Sequence, residues 1–207
     1  MAVVIGRTCP SHLPVQVSIA KRMDTAEIGA VVLESEKRQD PPDPVMKIPI
    51  TFFAPAEREP IEVVHRQAGS FRQSPLARTF LNAALNYLFV LNAQRQIVMA
   101  SENVLELMPD KTMDQIVGLR PGEALGCVHA YECESGCGTS RFCRQCLAVK
   151  VLLSGLAGSR DVAECRLIRV VHHHKTALDL EVLATPLMLD NERYTLLTVA
   201  EISREKR

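Results

Sequence analysis

The sequence predicts an α+β fold: one five-stranded antiparallel sheet with helices on one face, preceded by a poorly ordered or helical N-terminal extension. Three observations support this prediction: a pair of apolar strands in the middle of the chain, a helical connection after them, and three final segments rich in Val, Ile, Leu and Thr. Helices between such strands cover one face of a sheet. With 207 residues, 47% of them apolar, the chain can bury one core.

Residues 1–45 are predicted to be a poorly ordered leader, because the proline-rich stretch Lys37–Pro44 ends the short helical pattern before it. The abrupt change of character at Met46 suggests that this leader is absent from the native protein. Residues 46–74 form an N-terminal extension or linker with a helical pattern over Ile61–Gln67.

Residues 75–207 are predicted to form the folded domain. Helical spacing of apolar residues predicts a first helix over Pro75–Asn86, whose apolar stripe packs on the domain edge or on a second copy of the chain. The apolar run Tyr87–Leu91, a polar turn over Asn92–Arg95 and a return strand over Gln96–Ala100 predict a hairpin.

The rest of the domain is predicted to contain two helices followed by three strands. Ser101 is predicted to cap a short helix over Glu102–Met108, and a longer helix is predicted from Arg141 to Leu156. A hairpin turn is predicted at residues 190–193. The remaining strands are predicted at Asp161–Val171, Leu178–Leu189 and Tyr194–Ile202.

Composition restricts the function classes. The formal net charge is zero, so no electrostatic argument favours nucleic acid or an anionic membrane as a partner. No stretch approaches the roughly 18 apolar residues of a spanning helix, and the N-terminus lacks a signal peptide. A cytoplasmic location is therefore expected, where clustered cysteines bind metals far more often than they form structural disulfides.

The chain carries five of its seven cysteines in the stretch Cys127–Cys146. Thiolate is the softest protein ligand for zinc or iron, so this density indicates an ion or a cluster. Cys143 and Cys146 form a tight pair at a predicted helix start, where free amides and the helix dipole favour thiolate. Cys127 and Cys137 lie on the preceding loop, and the four thiolates would satisfy either tetrahedral zinc or a four-iron cluster.

Two further residues are secondary candidates as metal ligands. Cys165 is predicted to lie on a strand and could replace any of the four, although a strand cysteine is commonly a small core residue. His129 could bind metal or donate a hydrogen bond to a ligating sulfur. Cys133, between two glutamates, and Cys9 are expected to have no ligand role, and His172–His174 are expected in a solvated turn, with adventitious metal binding as the alternative. Arg120, Glu123 and Arg166 are expected at the surface, with salt bridges or support of the metal ligands as the alternative.

The order of elements and two stretches of residues resemble the PAS domain family. The stretches are Leu88–Asn92 with Ile97–Asn103 at the front, and Thr198–Arg207 at the end, which looks like the closing signature of the family. The resemblance covers Pro75–Arg207. It implies a sensory module that binds a small molecule or cofactor between sheet and helices and passes its state to a partner.

The cysteine insert, residues 126–146, is similar to a cysteine-bearing subgroup of bacterial, histidine-kinase-associated PAS domains. The sequence departs from that subgroup at Leu147, where glycine is usual, and at the extra Cys133. The segments that carry the similarity are Gly118–Ala130, Gly136–Thr139, Phe142–Cys146 and Glu164–Arg166.

Three function classes remain open. The favoured one is a stand-alone sensor in which an iron–sulfur cluster reports redox or oxygen state to a signalling protein such as a histidine kinase or regulator, with the chain itself a homodimer. The second is a binding adaptor with a purely structural zinc. The third is a thiol–disulfide protein using Cys143 and Cys146, although the thioredoxin-like element order is missing. The sequence contains no nucleophile elbow, P-loop or dinucleotide fingerprint, so no enzyme is predicted.

Overall fold

The computed structural model describes residues 51–171 and 174–202. The predictions for residues 1–45, Met46, Cys9, His172 and His173 lie outside these residues. The helices are α1 (Ile61–Arg72), α2 (Pro75–Ala83), α3 (Met113–Ile116), α4 (Pro121–Ala124) and α5 (Leu147–Leu156). The strands are β1 (Tyr87–Leu91), β2 (Ile97–Ala100), β3 (Asp161–Val171), β4 (His174–Leu189) and β5 (Glu192–Glu201).

The strands form one antiparallel sheet in the order β2-β1-β5-β4-β3. The tight turn between β4 and β5 has positive φ at Asp190 (48°) and Asn191 (61°), the geometry that two-residue hairpins require and that Asp and Asn tolerate. The five-stranded antiparallel sheet predicted from the sequence is confirmed, but helices pack on both of its faces rather than on one as predicted.

The main core lies between the sheet and the helical connection. Inward side chains of four strands pack against α5 and against the segment from α3 to α4. Within this core, Phe89, Leu91 and Ile97 have no exposed surface. Burial of such side chains supplies the main stabilisation, about 2 kcal/mol each. This face of the sheet also carries Cys165, and it forms the floor of the site described below.

The helical extension packs on the opposite face, which the sequence did not predict. Val64 and Phe71 of α1 join Leu88 and Val90 of β1 in a second core. The Phe71 ring meets the Tyr194 ring edge to face, with centroids 4.9 Å apart. The sheet is therefore covered by helices on both faces at its β1, β2 and β5 side.

Two helix predictions need correction. The predicted helix from Arg141 begins only at Leu147, after a separate 3₁₀ turn over Phe142–Arg144. Ser101 precedes a 3₁₀ helix over Glu102–Glu106 but does not cap it with its side chain. Its hydroxyl instead accepts the backbone N–H of Leu88 at 2.9 Å, because Ser101 lies beside β1.

None of the helices in the described ranges combines the length and the apolar character needed to cross a membrane.

Candidate functional site: a cysteine-lined cavity

A cavity of about 390 Å³ lies between the sheet, α5 and the cysteine insert. Its volume is within the range of pockets that hold small ligands or cofactors. The side chains that line it are mostly apolar, among them Leu125, Leu152, Leu180, Val182, Leu197 and Val199. Five cysteines also line it: Cys127, Cys137, Cys143, Cys146 and Cys165.

Cys127 and Cys137 reach the cavity from the loop that follows α4. The Cys127 N–H donates to Gly122 O at 2.7 Å, and Cys127 forms an isolated bridge to Arg169 of β3. Cys137 lies between Gly136 (φ 79°) and Gly138 (φ 94°), whose left-handed backbone lets the loop bend tightly around it. The resulting fold of the loop places both cysteines beside Gly122 of α4.

The other three cysteines come from the turn before α5 and from β3. Cys143 is buried in the 3₁₀ turn, with its sulfur 3.4 Å from the Ser140 hydroxyl, and Cys146 occupies the N-cap position of α5. Cys165 pairs with Leu180 across β3 and β4 and faces the main core. The cavity thus gathers cysteines from three separate segments of the chain.

Burial favours the neutral form of four of these thiols when no ion is bound, by raising the pKa values of Cys127, Cys137, Cys146 and Cys165. Removal from water raises the pKa of Cys137 to about 12, and the nearby thiols of Cys143 and Cys127 add to the increase. Burial likewise raises the pKa of Cys165 to about 11 and raises the pKa values of Cys127 and Cys146.

The expectation that the helix start favours thiolate at the Cys143–Cys146 pair is therefore wrong for Cys146. Backbone N–H groups of Val149 and Ala148 do lower the Cys146 pKa, but burial outweighs them. A bound metal would reverse this balance, because coordination deprotonates a thiol outright.

The donor set fits a thiolate-bound metal or cluster by its chemistry. Within residues 51–171 and 174–202, however, no three His, Cys, Asp or Glu side chains are arranged as a site for a single metal ion. Tetrahedral zinc, with Zn–S bonds of about 2.3 Å, would draw its four sulfurs to within roughly 4 Å of one another.

The secondary candidates differ in position. His129 lines the cavity, but its ring stacks on Phe142 at 4.5 Å and its Nδ1 lies 2.7 Å from Glu132 Oε1. Cys133 is absent from the cavity wall. Arg166 lies at the surface as predicted, where its guanidinium donates two hydrogen bonds of 2.8 Å to Asp179.

The surface position expected for Arg120 and Glu123 is wrong, whereas the alternative of a salt-bridging role agrees with the contacts of Glu123. The Arg120 side chain has no exposed surface, and it donates to carbonyl oxygens of residues 56, 57, 94, 135 and 137. Glu123 accepts the backbone N–H groups of Arg120 (3.0 Å) and Cys137 (2.9 Å) and forms an ion pair with Arg58. The partners Ala56, Glu57 and Arg58 are more than 60 residues away in sequence, so spacing alone did not reveal them.

Burial also perturbs the arginines. The pKa of Arg120 falls to about 10, mainly through desolvation and then through the nearby charges of Arg95 and Arg58. Desolvation lowers the pKa of Arg95 as well, whereas Cys137 raises it. The inner end of the cavity is thus a buried cationic environment next to the cysteines.

An N-terminal strap, residues 51–60, lies against the cysteine insert. The backbone N–H groups of Phe52 and Ala54 donate to Thr139 O (2.8 Å) and Gly138 O (2.9 Å), and Arg144 Nε donates to Phe52 O at 2.7 Å. The strap leads directly into α1. It therefore joins the cysteine insert to the helix on the outer face of the sheet.

No family model matches the chain, and no curated protein matches it. A similar solved structure is the PAS domain of nitrogen regulation protein NR(II) from Vibrio parahaemolyticus, with 18% identity and a TM-score of 0.44 over 62% of this chain and 100% of that one. Another is the PAS domain of an HTR-like protein from Haloarcula marismortui, with 13% identity and a TM-score of 0.42 over 63% and 98%. A PAS domain from a two-component sensor histidine kinase has 13% identity and a TM-score of 0.41 over 60% and 92%.

The five-stranded antiparallel sheet and a helical cover on it, both predicted from the sequence, are present in the structure. The cysteine-bearing subgroup stays a prediction.

Proposed function

We propose that this chain is a sensory domain whose cysteine-lined cavity holds an iron–sulfur cluster or metal ion and reports its state to a partner protein. The observation that supports this most strongly is the meeting of five cysteines from three chain segments at one cavity. One cysteine in a core is commonly a small apolar side chain. Five around the same space are better explained by a shared ligand.

The proposed ligands are Cys127, Cys137, Cys143 and Cys146, with Cys165 and His129 as alternates. When bound, an iron–sulfur cluster would supply a redox change, whereas zinc would supply structure alone. The protein's own part is to hold the thiols and exclude water. Glu123 fixes the Cys137 backbone, and the apolar floor of the cavity keeps the site at low dielectric.

The volume of the cavity favours the cluster over a single zinc ion. A single ion needs sulfurs drawn tightly around it, and the described residues contain no such group. A four-iron cluster binds one cysteine at each iron, and the irons are themselves separated by sulfide, so it spans more distant sulfurs. The 390 Å³ cavity accommodates the larger group.

The proposed output passes through the strap to α1 and α2. Release or movement of the cysteine insert would disturb the hydrogen bonds of residues 138 and 139 to the strap. The partner proposed is a signalling protein such as a histidine kinase or regulator. Homodimerisation is proposed through α2, on which Leu76 and Phe80 are 65% and 68% exposed.

The adaptor with structural zinc is the second candidate, since its thiol ligands would be the same. The thiol–disulfide alternative is weaker. A nucleophilic cysteine needs a lowered pKa, and burial raises that of Cys146. No residue is proposed to be catalytic.

Elemental analysis of protein purified without air tests the proposal. We expect iron and acid-labile sulfide in equal amounts, with visible absorbance that bleaches in air. Cys143→Ser should lose the iron, and Cys133→Ser, a matched change outside the cavity wall, should keep it. Zinc without iron selects the adaptor, and metal-free protein with both variants unchanged refutes both metal proposals.

A further inference from the structure

Two buried guanidinium groups lie at the inner end of the cavity. Arg120 has no exposed surface and Arg95 only 4%, and both line the cavity. The Arg120 side chain donates its hydrogen bonds to neutral carbonyl oxygens. Arg95 donates to Pro55 O at 2.5 Å, and its Nε has no hydrogen-bond partner among the described residues.

The buried carboxylate nearby is already paired. Glu123 forms its ion pair with Arg58 and otherwise accepts backbone N–H groups. The charges of these two side chains therefore cancel. Arg95 and Arg120 then leave two positive charges next to the cysteine insert. Buried charges in proteins are normally paired or bound to a metal site, because their desolvation is costly.

Other acidic groups near the cavity are poorly placed to neutralise these cations. Glu57 is exposed, so water screens its charge. Glu164 and Arg166 line the open edge of the cavity at β3, where they are exposed and of opposite sign. Glu57 and Glu164 are both exposed, so neither provides a buried counter-charge for the two guanidiniums.

The backbone of Arg95 supports a role for its side chain. It closes the β1–β2 turn at φ 67°, a conformation that glycine or asparagine adopts readily and arginine rarely does. The guanidinium reaches the cysteine insert, where a Cβ placed on Gly138 would lie 3.5 Å from Arg95 Nε. A smaller residue such as glycine would form this turn without strain. The presence of arginine is therefore explained by the groups that its guanidinium faces.

We propose that Arg95 and Arg120 are the counter-ions of an anionic centre held by the cysteines, which fixes the net charge of that centre near −2. This inference rests on the proposed function. Four thiolates around Zn²⁺, or around a four-iron cluster core of charge +2, leave a net charge of about −2. That charge matches the two unpaired guanidiniums. A neutral organic ligand would leave them uncompensated.

Arg95→Gly tests this proposal in the full-length chain. Glycine suits the positive φ and removes the charge, whereas Arg95→Lys keeps the charge as a matched control. Zn²⁺ affinity of the metal-free protein is measured by competition with a chelator. We expect Arg95→Gly to bind Zn²⁺ about 10- to 100-fold more weakly, as for other groups that support metal ligands, and Arg95→Lys to remain close to the unaltered protein.

Protein purified with iron and sulfide gives a second readout. Loss of a cation disfavours the more negative reduced state, so the midpoint potential of Arg95→Gly should become more negative. Unchanged Zn²⁺ affinity and unchanged potential would overturn the counter-ion role while leaving the proposed function standing. If the unaltered chain binds neither zinc nor iron, the proposed function itself fails. Arg95→Asn, which also tolerates positive φ, replaces the glycine variant if circular dichroism shows that the latter is unfolded.

Discussion

Gly122→Ala is the sharpest test of the cavity as a thiolate site. Gly122 lies in α4 with its missing side chain facing the cysteines, and a Cβ there would meet the Cys137 sulfur at 2.6 Å. Ordinary van der Waals contact begins at 3.4 Å, so the sulfur must move by about 0.8 Å. Metal–ligand distances tolerate only about 0.2 Å, and we therefore expect Cys137 to be lost as a ligand.

The effect on stability is expected to be smaller than the effect on the metal. Alanine gains up to about 1 kcal/mol over glycine in a helix, and the overpacked contact costs about 1–3 kcal/mol. The net change in the free energy of unfolding is thus a loss of at most about 2 kcal/mol. The hydrogen bond from the Cys127 N–H to Gly122 O is a backbone contact, so the substitution retains it.

Gly69→Ala is the matched control. It is also a helical glycine, but a Cβ there meets nothing within 4 Å. We expect it to stabilise the protein by up to about 1 kcal/mol and to leave metal content unchanged. Urea denaturation and elemental analysis measure the two quantities. A Gly122→Ala protein with full metal content and the same stability gain as Gly69→Ala would refute the placement of Cys137 at the site.

Three further predictions concern titration, the buried carboxylate and the α2 surface. Above about pH 9 the metal-free protein should lose unfolding free energy as pH rises, because the cavity thiols ionise in the unfolded state while burial keeps their folded pKa values raised. Cys137, whose folded pKa is about 12, should contribute roughly 1 kcal/mol per pH unit, and Cys137→Ala should reduce the slope by that amount in urea titrations. Glu123→Gln should destabilise the fold by about 1–3 kcal/mol, because the single amide oxygen of glutamine cannot accept both backbone N–H groups that the carboxylate accepts, whereas Glu132→Gln at the surface should change stability by less than about 0.5 kcal/mol. On α2, Leu81→Ala should lower the free energy of unfolding by about 2–4 kcal/mol, because the Leu81 side chain is only 6% exposed. Phe80→Ala should lower it by almost nothing in the monomer, because Phe80 is 68% exposed. Equal losses of stability in thermal unfolding would contradict that packing.

Much of the sheet could be predicted from local sequence. The bounds of β1 and β3 agree with the apolar and β-branched runs that predicted them, because neighbouring residues within a strand share the same pleated environment. β4 begins at His174, four residues before the predicted Leu178. That extension is exposed and mostly polar, and backbone pairing with β3 holds it in the sheet. The local sequence does not reveal this pairing.

The sequence by itself determined the element order, the sheet and the concentration of cysteines in one insert, because these follow from residue type and short spacing along the chain. Tertiary structure alone decided which thiols line the same cavity and that Arg95, Arg120 and Glu123 lie buried beside them. Their partners are tens of residues away in sequence, as in the hydrogen bonds from Arg120 to Ala56 and Glu57. Burial and charge pairing depend on the packing of distant segments, so the chemistry of the cavity emerges only when the chain has folded.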